Sequence, residues 1–233
     1  MSLFHGPATS MNGLVFYVDP ANKKSYPGSG TTYTDLSGYN HTHTLSNGTG
    51  FSSSNGGSLT FDGVDDYTSC ANTSALQLTS AGTISAWALT TDILTDERTL
   101  VLKAASGSNL SYGLYFNYAV SSPNNIMLFV DSDGTWGPTS YVLFENLLTN
   151  TWYHVVGTWS PSGLSIYANG VLQNSNSTTV SAYVGSSSLY IGGGVTGWAY
   201  WKGNIGPVAI YNRALTATEI LQNFNATRGR YGI

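Results

Sequence analysis

Between Trp152 and Leu172, apolar and polar positions alternate in a way that predicts three antiparallel strands within about twenty residues. Trp152 to Trp159 is β-branched and aromatic, a composition suited to a pleated, half-buried surface. A period of two sets Trp152, His154, Val156 and Thr158 on one face, with Tyr153, Val155 and Trp159 on the other. Ser160 to Gly163 turns the chain. Leu164, Ile166 and Ala168 then alternate with Ser165 and Tyr167, giving a strand with one apolar face. Asn169-Gly170 follows at once, and both residues accept the positive φ of a tight type I′ hairpin turn.

The same pattern runs through the rest of the chain. Residues 1–12 read as an irregular arm, and residues 13–233 as a single domain. Leu14 to Val18 is apolar on both faces, which predicts a central strand. Asp19 to Gly30 and Phe51 to Gly57 read as loops, and the polar stretch Tyr33 to Thr44 leaves room for short strands. Ser58 to Phe61 and Tyr67 to Ala71 form strands joined by the turn Asp62-Gly63-Val64-Asp65-Asp66. Further strands are expected at Thr83–Leu89, Thr99–Ala104, Tyr112–Tyr118, Asn125–Val130, Tyr141–Phe144, Leu189–Gly192 and Gly203–Tyr211. Near the end, Thr216-Ala217-Thr218-Glu219 is a capping box, with Leu215 and Ile220 placed as its hydrophobic staple. A helix of one or two turns, striped by Ile220, Leu221 and Phe224, is expected to dock at an end or edge of the sheets. Many short strands without alternating helices predict an all-β fold: a two-sheet antiparallel jelly-roll sandwich with one short C-terminal helix.

Three blocks of this pattern resemble a known family. Trp152-Tyr153-His154-Val155-Val156 with Ile166-Tyr167-Ala168-Asn169-Gly170 is similar to the central signature of laminin G-like jelly rolls, within the concanavalin A-like lectin/glucanase superfamily. Gly203 to Leu215 and Leu59 to Tyr67 extend the likeness in the family's order. The opening, Gly13 to Pro20 with Ser25 to Gly30 and Asp35 to Gly38, resembles laminin G-like proteins of tailed-bacteriophage particles, such as tail-fibre, head-fibre and decoration proteins. The resemblance implies a virion surface module that contacts other virion proteins or cell-surface glycans, with a trimer as the fibre-like oligomer.

Composition narrows the partners. Charged residues are 9% of the chain, against roughly 25% in ordinary domains. Net charge is −4, so no general field favours a phosphate backbone and nucleic acid is not expected. No segment has the run of about eighteen apolar residues that a membrane helix needs, and the N-terminus lacks a signal-peptide pattern. These features fit a protein made in a host cytoplasm and carried on a virion surface. Cys70 is the only cysteine, which excludes an intrachain disulfide and reads as a small core residue.

The candidate chemistry is sparse. Glycoside hydrolysis needs two carboxylates roughly 5–10 Å apart, one with a raised pKa. The three glutamates, Glu97, Glu145 and Glu219, share no strand pattern, and Glu219 is already used by the cap. A non-enzymatic protein is therefore expected, with a degenerate glycoside hydrolase as the remote alternative. Asp62, Asp65 and Asp66 place three hard oxygen ligands in one turn, a set that suits calcium. The resemblance implies a calcium site near that rim, although the family's acidic residue after the Ile of the Gly-x-Ile block is replaced here by Gly206-Pro207. The plainer reading makes the aspartates turn formers, as for Asp131 and Asp133. Trp198, Tyr200 and Trp201 end a Gly-rich loop, and Trp136 sits in another; such rings suit a sugar platform, or a core or subunit contact. His41 and His43 lack a third ligand and read as surface histidines, and His154 as a packed one. The leading expectation is a virion structural or binding module, the alternative a free calcium-dependent lectin-like protein.

Overall fold

The computed structural model describes residues 8–92, 97–105, 108–116, 124–135, 137–195, 197 and 199–233. Among the described residues, sixteen strands run in chain order as β1 (Leu14–Val18), β2 (Thr32–Thr34), β3 (Thr42–Ser46), β4 (Gly50–Ser52), β5 (Ser58–Asp62), β6 (Tyr67–Cys70), β7 (Gly82–Thr90) and β8 (Arg98–Ala105). They continue as β9 (Ser108–Phe116), β10 (Ile126–Val130), β11 (Ser140–Phe144), β12 (Tyr153–Ser160), β13 (Gly163–Ala168), β14 (Val171–Asn176), β15 (Leu189–Ile191) and β16 (Lys202–Tyr211). One α-helix, α1 (Ala217–Thr227), follows.

The strands form two antiparallel sheets of eight. One has the order β14-β13-β12-β7-β16-β5-β4 with β1 added at β16, and the other runs β11-β10-β9-β8-β15-β6-β3-β2. This is the jelly-roll sandwich that the alternation predicts. At the β12–β13 hairpin, Val155 pairs with Ala168 and Trp159 with Leu164. Asn169 and Gly170 both take positive φ, 51° and 81°, as a type I′ turn requires. Val155 and Trp159 point into the core between the sheets, while Trp152, His154 and Val156 face outward, so the predicted parity holds. Gly157 lies opposite Leu128 of the other sheet, and any side chain there would collide with it. The close approach of the sheets depends on that missing Cβ.

Two elements sit differently from expectation. β1 pairs with β16 and has no second strand neighbour among the described residues. Its other edge is satisfied by a loop: Leu36 N–H donates to Tyr17 O at 2.7 Å, and Tyr17 N–H to Asp35 Oδ1 at 2.8 Å. Burial on both faces thus comes without a central place in the sheet. The helix is longer than predicted, at 11 residues, and lies over the outer face of the first sheet instead of plugging an end. Ile220 packs there against Val156, Ala209 and Tyr211, with Leu215 as the staple partner. The capping box forms as expected.

Residues 8–12 are clasped to this face. Ser10 N–H donates to Asn223 Oδ1 at 2.7 Å, Tyr211 Oη–H to Ser10 O at 3.0 Å, and Arg213 Nε–H to Asn12 O at 3.0 Å. Among the described residues no helix is long and apolar enough to cross a membrane.

Candidate functional site

The acidic turn follows β5 at one end of the sandwich. Gly63 takes φ 83°, and Val64 N–H donates to Asp62 Oδ1 at 2.7 Å, so Asp62 does form the turn. Asp62 N–H donates to Asp66 Oδ2 at 3.0 Å, which draws the two carboxylates together. Asp62, Asp65 and Asp66 each offer an oxygen within 4.8 Å of the others. Oxygens around one calcium ion, bound at roughly 2.3–2.6 Å, are at most about 5 Å apart, so the spacing fits that cation. No salt bridge to the three carboxylates occurs among the described residues. Burial, together with the like charges of Asp62 and Asp65, raises the Asp66 carboxyl. An open groove of about 370 Å³, lined by Asn47, Gly50, Thr60, Asp62 and Asp66, adjoins the turn. Asn47, which sequence reading did not single out, closes it by donating Nδ2–H to Asp65 O at 3.0 Å.

The Gly-rich loop after β15 reaches the same rim. Gly194 lies so close to Tyr67 and Tyr190 that a Cβ would meet them at 2.6 Å and 2.9 Å. Gly193 makes a similar approach to Tyr200. The rings of Tyr67 and Tyr190 are 6.1 Å apart, and both side chains are half-buried, as is Tyr200. Burial, then Tyr67 and Asp65, raise the Tyr200 phenol, so a candidate aromatic and a candidate carboxylate are electrostatic neighbours. In the sequence they are some 130 residues apart, and no local pattern joins them. The partners Tyr67 and Tyr190 were missed because each sits alone in its strand. Only the pairing of β6 with β15, Ser69 opposite Tyr190, brings them together.

Trp201 requires a correction. It is fully buried, in the core between the sheets, with its ring edge-on to Phe116 at 5.9 Å. Adjacent residues of an extended chain point to opposite sides, so Tyr200 and Trp201 cannot share one surface. Trp201 is therefore no sugar platform. Trp136 and Trp198 lie outside the described residues.

His41 and His43 also differ from expectation, for both are buried. His41 Nδ1 is 2.9 Å from Asp35 Oδ2, and its Nε2 is 2.8 Å from Thr73 Oγ1. His43 Nδ1 is 2.9 Å from Thr68 Oγ1. Both pack their rings on Phe16. The turn carboxylate Asp35, which accepts from Tyr17 and Ser37 as well, draws His41 inward. Cys70 and His154 are packed, as expected.

A serine–histidine contact was not foreseen: Ser85 Oγ is 2.8 Å from His154 Nε2. Among the described residues, His154 Nδ1 has no hydrogen-bond partner, so no carboxylate among them orients the ring, and burial lowers its pKa to about 3. Glu219 is bound by Arg213 at 2.5 Å and by the cap, Glu97 accepts from Tyr115 at 3.3 Å, and Glu145 is exposed. Asp131 serves its turn, accepting from Gly134 N–H at 2.6 Å and Thr139 N–H at 3.1 Å.

Comparison with known proteins agrees with this architecture. A laminin G-type family model, described as the concanavalin A-like lectin/glucanases superfamily, matches residues 61–221, well over half of the chain. The chain belongs to that superfamily. No curated protein sequence matches it. Domain 4 of AbnA, a GH43 extracellular arabinanase from Geobacillus stearothermophilus solved with arabinotriose, superposes with a TM-score of 0.68 at 17% identity; the match covers 91% of this chain and 98% of that one. The binding domain of botulinum neurotoxin serotype G gives 0.70 at 16%, covering 91% of this chain and 50% of that one. Trypanosoma rangeli sialidase in complex with the inhibitor DANA gives 0.65 at 17%, covering 94% and 33%. The superfamily member described here thus spans a third of the sialidase and half of the toxin domain. At these identities the likeness concerns the fold.

The position of Gly206 bears on the family's missing acidic residue. A side chain there would run into Tyr231 and Trp87 beneath the C-terminal segment. In β16 it is Lys202, four residues earlier, that opposes Asp62. The departure at Gly206-Pro207 therefore takes no ligand from the Asp62/Asp65/Asp66 cluster.

Proposed function

We propose that this chain is a non-catalytic carbohydrate-binding module of the laminin G-like type. It takes glycans at the rim where the Asp62–Asp66 turn meets the loop ending in Tyr200. Calcium held by Asp62, Asp65 and Asp66 would order the turn and accept sugar hydroxyls, while Tyr200 and Tyr67 offer ring faces to the apolar side of a sugar. One observation carries this reading: the loop residues Gly193 and Gly194 pack against Tyr200 and Tyr67, and Tyr67 directly follows the Asp62/Asp65/Asp66 cluster, so carboxylates and half-buried aromatics share one open rim. The absence of a carboxylate on His154 Nδ1 and the commitments of Glu219 and Glu97 support a binding role over a hydrolytic one. The complex of the arabinanase domain with arabinotriose supports a sugar as the ligand class.

The resemblance of residues 13–38 to virion proteins favours display on a bacteriophage particle, towards host glycans. A trimer there would multiply weak sites through avidity. The test is a glycan array probed with the intact chain in calcium and in chelator, beside Tyr200→Ala and Asp65→Asn. At least one glycan class bound only with calcium, and lost in both variants, is the expected result. An array that shows no such class would overturn the assignment of the rim.

A further inference from the structure

The opposite end of the sandwich carries a second opening that the rim site does not use. β16 is 10 residues long, a rise of about 33 Å at strand spacing. Lys202 at its start opposes Asp62, whereas Asn212 just beyond its end lines a groove of about 230 Å³. The other polar walls are Tyr39, Ser74, Gln77, Thr79 and Ser80. Among the described residues, no charged side chain lines the groove. Its volume falls below the roughly 300–1,000 Å³ of pockets for drug-sized ligands, a scale that suits one saccharide unit of a chain.

Tyr39 is 53% exposed, yet its ring is held. It stacks on His41 with centroids 6.1 Å apart and 22° between planes. His41 is itself fixed by Asp35 and Thr73. The Tyr39 N–H donates to Ser37 Oγ at 3.3 Å, so the backbone is tied as well. An exposed aromatic braced from within loses little conformational entropy when it meets a ligand. Around it, the side chains of Gln77, Ser80 and Asn212 make no hydrogen bond among the described residues, leaving amide and hydroxyl donors and acceptors free.

We infer that this groove is a second glycan-binding site, selective for neutral sugars and independent of metal. The Tyr39 ring takes the apolar face of a pyranose or furanose, and the Gln77 and Asn212 amides take its hydroxyls. Phosphates, uronic acids and sialic acids gain nothing from a groove without a cation. Two sites about 30 Å apart at opposite ends of a strand also let one chain cross-link separate glycans.

The experiment is an array of neutral and sialylated glycans, probed in calcium and in chelator with the full chain and with Tyr39→Ala, Asn212→Ala and Tyr200→Ala. Thermal unfolding of each variant confirms that it is folded. The expected result is neutral-glycan binding that survives chelator and Tyr200→Ala, and drops at least about tenfold in Tyr39→Ala and in Asn212→Ala, a loss of about 1.4 kcal/mol. No chelator-resistant binding to neutral glycans, or binding unmoved by the Tyr39 and Asn212 changes, overturns the inference. Calcium-dependent binding that needs only Tyr200 would sink this site and leave the rim standing, and the reverse result would sink the rim alone.

Discussion

Tyr231 lies flat on Trp87, with ring centroids 3.9 Å apart and 18° between planes. Trp87 also stacks on His154 and Phe224, and donates Nε1–H to Thr227 Oγ1 at 2.9 Å. The outer face of the three adjacent strands β12, β7 and β16 is therefore sealed by the chain's own C-terminal segment. That segment occupies the face, which leaves the rims and loops as the surfaces open to a partner. Tyr231→Ala is expected to lower unfolding free energy by about 3 kcal/mol, the range of aromatic truncation in a packed site. Urea denaturation checks this, and glycan binding at either rim should be unchanged in the folded variant.

The buried histidines make stability depend on pH. Burial lowers both His43 and His154 to about 3, so neither takes a proton in the folded state above that value. The unfolded chain binds those protons below about pH 6.5. The histidines' contribution should accordingly be level between about pH 7 and 8 and fall as pH drops from 6.5 towards 3, by up to about 1.4 kcal/mol per pH unit for each histidine. Denaturant unfolding between pH 4 and 8 measures the slope. His154→Gln should remove one histidine's share of it, and an unchanged slope would contradict the assignment.

Glu219 adds a dependence at lower pH. The Arg213 guanidinium, with the Thr216 cap, holds its carboxyl down at about 2. The unfolded value is near 4.5, so the pair's contribution is complete above that pH and lost as pH falls towards 2. Because both side chains are about a quarter exposed, solvent screening limits the contribution to on the order of 1 kcal/mol. Glu219→Gln should be less stable than the parent at pH 6 and equal to it near pH 2, as followed by thermal unfolding.

Most strands were legible because alternation is a local property, and so were the Asn169-Gly170 turn and the Thr216–Glu219 cap. The parity of Trp152 to Trp159 followed from its period alone. Other features depend on which strands become neighbours. Tyr67 meets Tyr190 through the pairing of β6 with β15, and the Gly193–Gly194 loop brings Tyr200 to the same rim. Strand order is set by the global packing of two sheets, and no local run encodes it. His41 and His43 look like surface residues in a polar stretch, but a buried carboxylate 6 residues before His41 supplies the partner that makes burial tolerable. Trp201 sits differently for a simpler reason: three rings ending one loop do not share a surface when neighbouring residues point to opposite sides.

Calcium at the acidic turn gives the sharpest test of the rim. A ligand that binds only the folded state stabilises it by about 2.7 kcal/mol at a hundred times its Kd. For a chain of this size that raises Tm by roughly 5–10 °C. The parent protein should show such a shift in calcium and lose it in chelator. Asp66→Asn should abolish the shift, because its carboxylate is the buried member of the cluster and is tied to Asp62 through a backbone hydrogen bond. Since burial and its acidic neighbours raise the Asp66 carboxyl, protons should compete at higher pH than for an ordinary aspartate, and the calcium shift should fade as pH falls through the upper carboxylate range. Equal melting temperatures with calcium and with chelator at neutral pH would leave Asp62, Asp65 and Asp66 as formers of a turn and nothing more.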